Sequence, residues 1–199
     1  MNASTSYFTD FYQGLPYLLQ SIGYQFSSVE LLKRALTHRS YDSKNSYERL
    51  EFLGDALLGM VIAKALFHQY PNYDEGKLTR MRATLVRQET LVEIAQDLQL
   101  FNHVILGIGE QKGGGRHRAS ILADCVEAII GAIYLDCQDI KVLKISFYCG
   151  IRIKFLPLVK KKYSRMQNLV CKNGCKPINC LYRLMNCWIL LALLLIKLL

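Results

Sequence analysis

The stretch "SYERLEFLGDALLG", residues 46–59, places Glu48, Glu51 and Asp55 among leucines suited to a hydrophobic core. Their spacings of three and four put them on one face of a helix. A second apolar stretch, "ASILADCVEAIIGAIYLD", carries Asp124 and Glu127 three apart. If the two helices cross, four or five carboxylates converge. Such groups repel one another, which raises some of their pKa values, and burying them ionised and unpaired is costly. Arg49 alone cannot balance them. Hard divalent cations prefer oxygen ligands, so the expected occupant is Mg²⁺ held by Glu51, Asp55, Asp124 and Glu127. The plainer reading of each acid taken alone is a solvated face or an i,i+4 ion pair. No Ser or Cys stands beside a usable base in these motifs, so a covalent nucleophile is not expected.

Helical spacing dominates from about residue 15 to 143, and strand signals are scarce. "LPYLLQSIG" and "SVELLKRALTH" read as short amphipathic helices. "NSYERLEFLGDALLGMVIAKALFHQYP" reads as a long helix, apolar nearly all round, ended by Pro71. Such a helix is normally central. "DEGKLTRMRATLVRQETLVEIAQDLQL" gives two more helices, "GIGEQKGGGRHR" a flexible basic loop, and residues 119–136 the second acid-bearing core helix. The expected fold class is all-α, a helical bundle built around two helices that both carry carboxylates.

The 199 residues carry a formal charge of +9, but all 16 acids lie between Asp10 and Asp139. Residues 1–143 are formally −2, and residues 144–199 are +11 with no acid at all. The overall basicity therefore belongs to the tail and does not argue for nucleic-acid binding by the rest. Five of seven cysteines, Cys149, Cys171, Cys175, Cys180 and Cys187, also lie there, without the paired C-x-x-C spacing of a zinc site. "MNASTSYFTDFYQG" has neither a basic start nor an apolar run, so a cytoplasmic location with reduced thiols is expected. The end, "WILLALLLIKLL", falls short of the roughly 20 residues of a membrane span. No membrane partner is expected.

"ERLEFLGDALLG" resembles the signature stretch of bacterial ribonuclease III. "LLKRALTHRS", "EGKLTRMRATLVRQETL" and "GGGRHRASILADCVEAIIGAIYLD" follow in that family's order, so the resemblance covers roughly residues 15–143. It implies an Mg²⁺-dependent endonuclease, with Mn²⁺ as a substitute, that cuts double-stranded RNA as a homodimer. It assigns Glu51, Asp124 and Glu127 to metal binding and Asp55 and Glu127 to catalysis. Glu48 and Glu75 match further acids near the scissile phosphate. Phe52 matches an aromatic that inserts into the partner subunit; ordinary core packing is the other reading. Lys112, Arg116 and Arg118 in the glycine-rich loop, with Arg80, Arg82 and Arg87, are candidates for contact with RNA phosphates. Arg82 and Arg87 could instead pair with Glu89 or Glu93. His38 in "THRS" reads as structural.

The likeness stops after "YLDCQDIKVLK", where the family continues into a last nuclease helix, a linker and an RNA-binding domain. A shifted reading frame is the expected cause: permitted codons can turn the tail into linker-like strings, and in the shifted frame Met166 followed by Gln167 forces alanine. The expected organisation is a nuclease domain over 1–143 and a foreign basic tail over 144–199. The rival expectation is an RNA-binding product with impaired chemistry.

Overall fold

A computed structural model describes residues 14–138. The tail, its apolar end and the frameshift reading all lie outside them. The described residues are helical, and the nearest approach to a sheet is an isolated parallel bridge between Thr37 and Ile105. In chain order the helices are α1 (residues 14–22), α2 (Val29–Ala35), α3 (Glu48–Gln69), α4 (Glu75–Val86), α5 (Gln88–Asp97), α6 (Ile108–Lys112) and α7 (Ala119–Cys137). Two short 3₁₀ turns, Leu100–Asn102 and Gly115–His117, flank α6.

The pair α3 and α7 forms the centre, with α2 and α5 packed on α7 and α4 on α3. On α7 the buried residues run almost all round the helix, from Ile121 to Ile133. Helix α3 is less enclosed: Leu50, Leu57, Leu58, Val61, Ile62 and Leu66 are buried, while Phe52, Met60 and Phe67 face solvent. Its apolar circumference thus supplies a core face and an uncovered face.

Local chemistry sets the boundaries. α3 stops at Tyr70, immediately before Pro71, whose ring cannot continue a helix. Asp74 caps α4 by accepting the Lys77 N–H at 2.8 Å. Arg87 is extended and separates α4 from α5, and the Thr90 hydroxyl donates to the Thr84 carbonyl freed by that break, at 3.0 Å. Asp136, near the end of α7, reaches back to the start of α2. Its carboxylate accepts the Tyr24 hydroxyl, the Ser27 N–H and the Ser28 N–H at 2.8, 2.8 and 3.1 Å. It caps a helix far from it in sequence.

The segment expected to be a flexible loop is ordered. Residues 108–112 are helical, and Gly115 turns so tightly beneath Glu110 that a Cβ there would meet the Glu110 carbonyl oxygen at 2.8 Å. Glu110, 19% exposed, pairs with Arg118 at 2.6 Å. Of the three glycines that suggested looseness, Gly115 permits close packing and Gly114 supplies a positive φ.

Candidate metal centre

The two central helices meet through glycine. A Cβ on Gly54 would run into the Glu127 carbonyl oxygen, and one on Gly131 would run into the Leu50 carbonyl oxygen. Backbone therefore lies on backbone, and the acids one turn away on each helix are drawn together. Glu51, Asp124 and Glu127 each offer a carboxylate oxygen, all within 4.8 Å of one another. All three are half-buried.

The electrostatics are those of crowded anions. Burial, then Asp55, Asp124 and Glu51, push the Glu127 carboxyl up to about 7. Burial, followed by Asp124, Glu48 and Asp55, raises Glu51. Burial also raises Asp124, against the Tyr47 hydroxyl bond and the nearby His38, which lower it. No lysine or arginine enters any of these balances. A half-buried trio of oxygen donors without a cation fits a hard divalent ion. Tyr47 is buried, and its hydroxyl donates to Asp124 Oδ2 at 3.3 Å. Cys125 lies wholly in the core, where burial raises its thiol far above the usual value. It is therefore inert as a nucleophile.

The remaining candidates are distributed around this trio. Asp55 is exposed on α3 and stands outside the set of three, although its charge reaches both Glu51 and Glu127. Glu48 is exposed and pairs with Arg39 at 3.1 Å. Glu75 opens α4, where it accepts the Thr79 hydroxyl at 2.7 Å, and does not belong to the trio. Phe52 is 81% exposed, so it is not part of the core of a single chain. Among the cations, Arg87 pairs with Glu89 at 3.3 Å, and Arg118 with Glu110. Arg116 donates to the Phe101 carbonyl at 3.2 Å. Arg80, Arg82 and Lys112 are exposed.

A Ribonuclease-III-like family model matches residues 28–144. The chain belongs to the ribonuclease III family. It is 64% identical over 136 residues to the Ribonuclease 3 of Psychrobacter arcticus, a match covering 68% of this chain and 51% of that protein. It is 67% identical over 129 residues to the Ribonuclease 3 of Acinetobacter pittii, covering 65% and 56%. The chain thus spans about half the length of these ribonuclease III relatives. Among solved structures it resembles the nuclease domain of ribonuclease III from Campylobacter jejuni, with a TM-score of 0.61 and 38% identity. That match covers 73% of this chain and 95% of that domain.

Gly54, Gly131 and Tyr47 are the parts of this candidate site that the motifs do not reveal. The glycines had a usable signal. Glycine inside a helix costs about 1 kcal/mol relative to alanine, so Gly54 and Gly131, each near an acid of its helix, mark a close approach, whereas Gly59 on the same helix as Gly54 has open space around it. Tyr47 had none, because its partner lies 77 residues away.

Proposed function

We propose that this chain carries the nuclease domain of a divalent-metal-dependent endoribonuclease that hydrolyses double-stranded RNA as a homodimer. The carrying observation is the trio of Glu51, Asp124 and Glu127 at the glycine-packed crossing. These residues would hold Mg²⁺, or Mn²⁺ in its place. A bound ion of this kind supplies Lewis-acid stabilisation of phosphate charge and acidifies coordinated water. Asp55, exposed beside the trio, positions the attacking water with its carboxylate. Glu127 is the acid whose proton is held near neutrality and is given up as the site fills. Glu48, anchored by Arg39, keeps negative charge at the edge of the site.

The RNA face is read by its charge. A-form duplexes are recognised mainly by shape, through phosphates and 2′-hydroxyls. Lys112, Arg80 and Arg82 are the cations best placed to serve, since Arg116, Arg118 and Arg87 are engaged within the chain. Precursors of ribosomal and messenger RNA are the substrate class the family suggests.

Dimer formation is supported by the uncovered face of α3. Phe52, Ala56, Met60 and Phe67 recur at helical spacing and are all exposed. An apolar stripe of this kind marks an interaction surface. A two-fold axis there would turn two sites toward opposite strands. Among the described residues no helix is long and apolar enough to cross a membrane.

The test is incubation of the full chain with a long RNA duplex, with and without Mg²⁺, beside Glu127→Ala. Mg²⁺-dependent cutting that disappears in the variant is expected. Duplex retention with no cutting at any metal concentration would replace this reading with that of an RNA-binding protein of impaired chemistry.

A further inference from the structure

Tyr47 is 3% exposed, and nothing in the chemistry above uses it. It stands immediately before α3 and touches both acid-bearing helices. Its carbonyl accepts the N–H groups of Leu50 and Glu51 at 2.8 and 2.9 Å. Its hydroxyl crosses to α7 and donates to Asp124 Oδ2 at 3.3 Å. Its own N–H donates to the Thr37 carbonyl at 2.9 Å, beside the bridge to Ile105. One residue is thus tied to the backbone of one acid of the trio and to the carboxylate of another.

The ring of Tyr47 is itself supported. The His38 ring lies 5.7 Å from it, tilted by 53°. His38 Nδ1 receives the Ser40 N–H at 3.1 Å and faces Ser40 Oγ at 2.8 Å. Ser40 Oγ in turn accepts the Gly107 N–H at 2.9 Å. These bonds tie the His38 ring to the Ser40–Gly107 corner. Gly107 has no room for a Cβ against the Ser40 carbonyl, so this corner is closely fitted. A hydrogen bond to one oxygen restrains the rotation of a carboxylate and so biases the direction of its remaining lone pairs. Residues that orient ligands in this way govern metal affinity from one layer out.

We propose that Tyr47 is a positioning residue that holds Asp124 for the divalent ion, with His38 and Ser40 buttressing its ring. This rests on the metal reading above.

The experiment measures Mn²⁺ binding to the full chain by electron paramagnetic resonance, for wild type, Asp124→Asn, Tyr47→Phe and Ser40→Ala. Tyr47→Phe keeps the ring and removes only the hydroxyl, so metal-free melting should change little. Its Mn²⁺ affinity should fall about 10-fold, the lower end for outer-layer substitutions. The Mg²⁺ concentration for half-maximal duplex cleavage should rise by the same factor, with the rate at saturating Mg²⁺ close to wild type. Ser40→Ala should shift both in the same direction by less. If Tyr47→Phe binds Mn²⁺ like wild type while Asp124→Asn does not, the positioning role is wrong and the metal reading stands. If Ser40→Ala binds like wild type, the buttress is wrong. If wild type fails to bind, or Asp124→Asn binds equally well, both readings fall together.

Discussion

At the scale of single residues, Glu127 connects function with stability. Its carboxyl is held at about 7 against an ordinary value of 4.5. Between these values the folded chain keeps a proton that the unfolded chain has lost. Stability must therefore fall as pH rises through that window and level off above it. Glu51 and Asp124 are raised as well and act in the same direction. His103, lowered from 6.5 by burial and by Arg116, acts the other way below that value. The melts are therefore compared with those of Glu127→Gln. In chelator the stability of wild type relative to this variant should drop between pH 5 and 7.5; a difference that does not change with pH would contradict the crowding of these acids. A metal ion must displace the proton, so stabilisation by added Mg²⁺ should grow over the same interval. Glu127→Gln separates the two roles. It removes a charge from a repulsive site, so ion-free stability above pH 7 should increase. Stabilisation by Mg²⁺ should vanish, and cleavage should fall by more than about 100-fold, the upper end for residues one layer out from a metal.

At the scale of elements, the crossing of α3 and α7 sets the site's geometry, and glycine sets the crossing. Gly54→Ala forces a methyl group against the Glu127 backbone, where no flexible side chain can give way. Overpacking of this sort costs about 1–3 kcal/mol or more, which denaturant melts would read as a lowered midpoint. Because the helices must separate, Mn²⁺ affinity should fall with it; a variant that loses stability but binds metal normally would uncouple the crossing from the site. Asp136→Ala tests a different joint. It removes three acceptor contacts at the start of α2, for about 1–2 kcal/mol by analogy with lost helix caps, without affecting metal affinity. These two cases show what the sequence makes legible. Helix α3 and its end at Pro71 are evident from local pattern, as are the acids of α3 and α7, because spacing alone puts them on faces. The partners of Asp136 and Tyr47 are not, since they lie 108–112 and 77 residues away and hydrogen-bond pairing across that distance has no periodicity. Glycines 113–115 suggested a loose loop because a flexible glycine and a tightly packed one look alike in sequence: Gly114 takes a positive φ in open space, whereas Gly115 is packed against Glu110, which pairs with Arg118.

At the scale of the whole molecule, residues 1–143 carry a formal charge of −2, so bulk attraction cannot bring this part to RNA. On the proposed function, affinity would come from placed cations and from two copies acting together. The proposed second copy bears first on Phe52. A phenylalanine 81% exposed on a central helix, in line with Met60 at 42% and Phe67 at 67%, leaves water against a surface that a monomer gains nothing by showing. Truncating an aromatic anchor of an interface costs about 2–4 kcal/mol, which is roughly 30- to 1,000-fold in the dissociation constant. Phe52→Ala should therefore sediment as a monomer at concentrations where the wild type is a dimer. Its helical content and melting temperature at high dilution should be unchanged, because the side chain supports no core contact. Per-chain Mn²⁺ affinity should also survive, since the trio is built within one chain. What should disappear is paired cutting: a nicked duplex should accumulate where the wild type yields two ends. If Phe52→Ala remains a dimer, the stripe on α3 is not the interface. If it becomes monomeric yet still releases paired ends at the wild-type rate, the two strands are cut without the two-fold arrangement.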